Sequence, residues 1–251
     1  MTSMGYGIVA GTDAENVRRM SGRGRGAVGT TLASAVFDQD DIGLKQRLET
    51  IDGQLEEFRE LGMRFLSGQP NMFLATFLII GALKRTLSQA AGICEMVRSR
   101  NTVCAMGLLR MQLDTVLRLH AMGLHGDMDV FADAVHNGVK VSNLKSADGI
   151  KLTDAYLHQS LSERFPWVSR VYSATSGYVH LSRSHFYQAI RDFPEAISGK
   201  ISISIAHVDP ERPASHYYEA LECLAAIDEF IYDHLSVPVE ALLSRPKEPP
   251  T

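Results

Sequence analysis

Between Asp41 and Leu66 the chain reads DIGLKQRLETIDGQLEEFRELGMRFL, and Ile42, Leu44, Leu48, Ile51, Leu55, Phe58 and Leu61 recur at three- and four-residue steps. Charged residues fill the other side, the period of an amphipathic helix with one face in a core. The break Gln69–Asn71, with Asn71 as N-cap, predicts a second helix through about Arg98, and Asn101 opens a third that the His125–Asp127 triplet stops near Leu124. Shorter helices are predicted over 127–136 and 152–164, separated by the turn Ala147–Gly149. Pro166 suits the first position of a further helix, whose Ser-Ala-Thr-Ser-Gly run must owe its helicity to packing.

The period then changes. In KISISIAHV (Lys200–Val208) Ile201, Ile203 and Ile205 alternate with small or polar residues, the two-residue repeat of a strand, and His185–Ile190 is the expected hairpin partner. A loop over Asp209–Ser215 leads to a last helix reaching about Leu235. The expected architecture is mainly α: a single helical-bundle domain over 37–243 with a small β-hairpin appended at about 185–206. Residues 1–36, with RRMSGRGRG at Arg18–Gly26, read as a flexible Arg/Gly arm, and 244–251 as a disordered tail.

Composition narrows the classes of function. A hydrophobic fraction of 45% suits a globular core, and a net charge of -4 gives no overall basic field, so any polyanion site must be local. The run Met72–Leu83 rises only about 18 Å as a helix, short of a membrane's hydrocarbon layer of roughly 30 Å, so no membrane association is expected. Cys94, Cys104 and Cys223 form no C-x-x-C pair; they read as small buried hydrophobes in a reducing cytoplasm. No metal is expected, because the histidine pairs 120/125 and 180/185 are five apart and diverge on a helix; nor is a cofactor, since no Walker loop or dinucleotide fingerprint occurs.

Two segments carry candidate chemistry. In the third helix, apolar side chains occupy nearly every azimuth, yet Arg110, Asp114 and Arg118 share one stripe. Asp114 is placed to bond both arginines, but one carboxylate leaves one positive charge over, for an acidic side chain elsewhere or a bound anion. In RVYSATSGYVHLSRSHF (Arg170–Phe186), helical spacing gathers Tyr172, Ser176 and His180 within a sector of about 80°, with Ser169, Ser173 and Arg183 beside them. Histidine exchanges protons near neutral pH, and an adjacent arginine holds phosphate, a pairing suited to metal-independent phosphodiester chemistry.

The segments Leu108–Met122 and Tyr172–Ser182 together resemble an uncharacterised bacterial family of helical proteins, with an Arg-x-x-x-acidic helix followed by Tyr-x-x-x-Ser-x-Tyr-Val-His-x-Ser; the resemblance covers about residues 40–235. Such proteins are distantly similar to the HEPN superfamily, which includes metal-independent ribonucleases of defence and toxin systems with an Arg-x(4–6)-His motif. Arg118 and His125 have that spacing, although Leu119 stands where the nuclease motif usually has a polar residue.

Three functions therefore stand open. An enzyme would use Arg110 or Arg118 to clamp phosphate, with Arg183 nearby, and His180 to transfer a proton, assisted by Tyr172 and Ser176. A binding module would hold a nucleotide or RNA with the same residues. A structural protein would satisfy these polar faces inside the bundle and act through a partner interface or the Arg-rich arm. Separately, a homodimer through the exposed hairpin edge is among the expectations.

Overall fold

The apolar period at the start of the chain becomes α1 (Ile42–Gly68), which buries Leu44, Leu48, Ile51, Leu55, Phe58, Leu61 and Phe65. Ile42 departs from the expected stripe: it lies on the outer side of the first turn, 73% exposed. The computed structural model describes residues 10–11, 37–68, 72–188, 190–192 and 202–245. The helices that follow are α2 (Leu74–Arg98), α3 (Thr102–His125), α4 (Met128–His136), α5 (Asp154–Arg164), α6 (Pro166–Val179), α7 (Arg183–Gln188) and α8 (Tyr218–Leu243). The protein is mainly α, a helical bundle, as its periodicity predicts. None of the described helices is long and apolar enough to cross a membrane.

The boundaries follow local chemistry. Asn101 caps α3 by accepting from the Cys104 N–H at 3.0 Å. Gly126 ends it in the left-handed region at φ 84°, where a side chain would be strained, and Asp127 caps α4 through the N–H groups of Asp129 and Val130. Thr153 caps α5, and Pro166 occupies the first turn of α6, where its missing N–H costs nothing. The expected N-cap at Asn71 lies outside the described residues. There the Thr76 hydroxyl accepts from the Phe73 N–H instead.

Four further expectations change. α8 runs past Leu235 to Leu243 although Pro238 interrupts its hydrogen bonding, because Val239 and Leu242 are still buried beyond the proline. The strands are shorter: β2 (Ile190–Asp192) pairs antiparallel with β3 (Ser202–Ser204), and residues 185–188 belong to α7. β3 also pairs in parallel with β1 (Ala10–Gly11), the only part of the arm among the described residues, giving the order β1-β3-β2. Cys104 is exposed, since it occupies the outer side of the first turn of α3, whereas Cys94 is buried and Cys223 half-buried.

α3 is the axis of the bundle. It packs on α2, α8, α6, α5 and α4, which explains its nearly all-round apolar pattern; Leu109, Leu113, Val116 and Leu117 are 1% exposed or less. α1 lies against α8, and α5 against α6. A buried carboxylate in the loop after β3 anchors the axis: Asp209 accepts from the Thr102 N–H (3.0 Å), the Thr102 hydroxyl (2.6 Å) and the Tyr217 hydroxyl (2.8 Å). The bundle's end is tied as well, for Arg245 makes a two-pronged contact with Asp129 at 3.1 and 2.8 Å.

Candidate functional site

Where α3 and α6 lie side by side, their outward stripes form the two walls of a cleft of about 460 Å³. Arg110, Met111 and Asp114 come from α3, Tyr172, Ser176 and Val179 from α6, and Arg85 from α2 closes one side. His180 completes the lining from one residue beyond the last turn of α6, where the backbone has become extended at φ -123° and ψ 149°. Two segments about sixty residues apart in sequence thus converge on one solvent-reached site. Arg110, Asp114, Tyr172 and Ser176 are half-buried and His180 is exposed.

The charges are arranged differently from the expected Arg110–Asp114–Arg118 ladder. Asp114 accepts from Arg118 at 2.8 Å, and Arg118 also reaches Asp154 of α5 at 2.6 Å. Arg110 makes no ion pair among the described residues. Its guanidinium carbon lies 4.2 Å from the centre of the Tyr172 ring instead. Helical side chains lean toward the N-terminus, so Arg118 leans onto Asp114 whereas Arg110 leans away from it.

Arg85 is the element that the sequence reading missed. Its Nε donates to the Thr115 hydroxyl at 2.9 Å and its Nη2 to the Met111 carbonyl at 3.1 Å, which fixes the guanidinium 3.9 Å from Asp114. Three guanidiniums, at 85, 110 and 118, therefore share two carboxylates, at 114 and 154, which leaves the neighbourhood one positive charge in excess. Burial opposes the Arg118 charge, but Asp114 and Asp154 outweigh it and raise its pKa further. Only the fact that Lys84 and Arg85 end an apolar run marked Arg85 in the sequence; its partners become visible once α2 and α3 pair.

The remaining candidates sort by their hydrogen bonds. The Ser176 hydroxyl donates to the Tyr172 carbonyl at 2.6 Å, so its proton is engaged within the helix and its lone pairs are what it offers the cleft. The Tyr172 ring meets Arg110 and also the His158 ring, with centroids 4.3 Å apart, and His158 Nε2 is buried without a hydrogen-bond partner. His180 makes no hydrogen bond among the described residues. Arg118 lies behind Asp114, and Arg183 opens α7 beyond the bend; neither lines the cleft. No cluster of metal-ligating side chains occurs among the described residues.

Fold and site together define an α-helical bundle with a small, arginine-bearing cleft between its axial helix and α6. No family model, curated protein or solved structure gives a significant match to the chain.

Proposed function

We propose that the α3–α6 cleft binds a phosphate-class anion, such as a phosphate of a nucleotide or of RNA, with Arg110 as its principal contact. The observation that carries this reading is the ion-pair pattern: Arg110 is held at the cleft by a ring, not by a carboxylate, so its donors stay available in the fork geometry that suits phosphate. Arg85 adds charge from the side that α2 closes. His180 can donate to a phosphate oxygen, and Ser176 accepts from a ligand hydroxyl. The same reading takes the protein as cytoplasmic, in keeping with its free cysteines, and as a homodimer through the outer edge of β2, which light scattering tests.

Calorimetric titration with pyrophosphate, AMP and a short RNA tests the site. At least one probe should saturate, weaken as salt rises, and bind at least about tenfold more weakly to Arg110→Gln, a loss of roughly 1.4 kcal/mol. Saturation by none, or equal binding by the variant, would overturn the reading. Turnover is a separate question because an exposed imidazole shares the cleft: RNA cleavage in EDTA that disappears in His180→Ala would make the site catalytic. The alternative ribonuclease pair, Arg118 and His125, draws no support from its surroundings. Arg118 is engaged by two carboxylates, and His125 Nδ1 meets the Asp127 carbonyl at 2.9 Å.

A further inference from the structure

A second cleft, of about 540 Å³, lies on the opposite side of the wall that α3 and α6 form, closed by α8 and the short turn of helix before it. Met106, Leu109, Val171, Ala174 and Ala220 give it mainly apolar sides, and it follows α6 from Trp167 to Tyr178, about 16 Å of helix. That size and polarity are those of a small-molecule site, and the length suits an extended ligand.

Most polar groups lining this cleft are already engaged. The Tyr178 hydroxyl accepts from Gln188 Nε2 at 2.9 Å. His216, which makes no side-chain hydrogen bond among the described residues, sets its ring edge-on to Tyr217 and has its pKa lowered by burial. Glu222 is engaged by Arg47 at 2.8 Å; the Tyr217 and Thr102 hydroxyls donate to Asp209, and the Thr175 hydroxyl donates to the Val171 carbonyl at 2.7 Å. Arg170 is different. It lines the cleft, is exposed, and makes no ion pair or hydrogen bond among the described residues. Glu219, exposed on the first turn of α8, is a lining carboxylate without a partner among the described residues, and it disfavours any ligand with a second negative charge.

We infer that this cleft binds an extended apolar monocarboxylic acid, its carboxylate on Arg170 and its chain along Met106, Leu109 and Val171. The site is separate from the phosphate cleft, because no residue lines both. A guanidinium with unengaged donors at the mouth of an apolar trough selects one anionic head and rewards burial of the tail.

Titration of the full chain with decanoate, decanedioate and decyltrimethylammonium tests the inference. Decanoate should bind saturably, the other two at least about tenfold more weakly. Arg170→Gln should weaken decanoate by a similar factor, Ala174→Trp should fill the trough and abolish binding, and Arg110→Gln should leave it unchanged. Thermal melts establish that each variant is folded; if the tryptophan variant melts early, Arg170→Gln decides. Decanoate that fails to saturate, binds Arg170→Gln as tightly as the parent, or is matched by the cationic probe would overturn the proposal.

Discussion

Replacing Asp228 with asparagine should make the protein more stable, and increasingly so as pH rises. Asp228 sits on α8 at 0% exposure, facing α3, where Gln112 Nε2 donates to its Oδ1 at 2.6 Å. Its Oδ2 has no hydrogen-bond partner among the described residues, and neither does Gln112 Oε1. Burial pushes the carboxyl up to about 7, and the Gln112 hydrogen bond offsets only part of that.

The sign follows from proton binding. In the unfolded chain the group titrates near 3.8, so between that pH and about 7 the native state holds a proton that the unfolded state has released. Its contribution is fully present below the lower value and is lost as pH rises through the upper one. At about 1.4 kcal/mol per unit, the full loss is ~4 kcal/mol, a large part of an ordinary domain's stability of about 5–15 kcal/mol. His120 works in the other direction, since burial lowers its pKa to about 4 and stability is lost as pH falls through that range; His216 and His234 are lowered too.

Comparing Asp228→Asn with the parent removes those shared histidine effects. In urea titrations the stability gap should widen by about 2–3 kcal/mol between about pH 5 and about pH 8, a midpoint shift on the order of 1 M. An infrared band of a protonated carboxyl, present in the parent near neutrality and missing in the variant, would identify the group directly. A gap that is flat in pH, or that closes as pH rises, would show that Asp228 is ionised or hydrated in the native protein and would refute the argument.

Two further substitutions probe how the cleft-bearing helices are held. Asp209→Ala leaves the Thr102 N–H and the Tyr217 hydroxyl without their acceptor at the start of α3, and should cost about 2–4 kcal/mol in denaturant titrations; a change within experimental error would mean that this clamp is replaceable by water. Gly43→Ala should destabilise by about 1–3 kcal/mol, although glycine to alanine inside a helix ordinarily stabilises: the new methyl would meet the Tyr218 hydroxyl, which donates to Asp41, and the edge of its ring, which Arg47 covers. A raised melting temperature would show that the tyrosine moves aside freely.

The parts of this protein that were legible in its sequence depend on local rules. The period of α1, the start of α3 at Asn101 and the stop at His125–Asp127 each act within a few residues, so the helices and their approximate ends follow from the text of the chain; that Asp127 also caps α4 became visible only in the structure. Arg110, Asp114, Tyr172 and Ser176 could be singled out because each helix segregates its polar side chains on one stripe, and stripes are visible before helices are paired; His180 lines the same cleft from extended backbone just past α6, not from the helical position its spacing predicts. What depends on pairing was hidden. Arg85 and His158 join the site and its surroundings only through the packing of α2 and α5, Asp154 draws Arg118 away from the cleft, and Asp209 acts across more than a hundred residues. The hairpin boundaries shifted for a similar reason, because a two-residue alternation does not say how far pairing extends.

Because the two clefts are back to back, the α3–α6 layer is a party wall with a room on either side. Val171 and Thr175 line only the apolar cleft but are buried in that layer, so enlarging either would also push on the helix that carries Tyr172 and Ser176. Side chains that look into one cleft alone, such as Arg110 on one side and Arg170 on the other, are the handles with which each can be altered while its neighbour stays undisturbed.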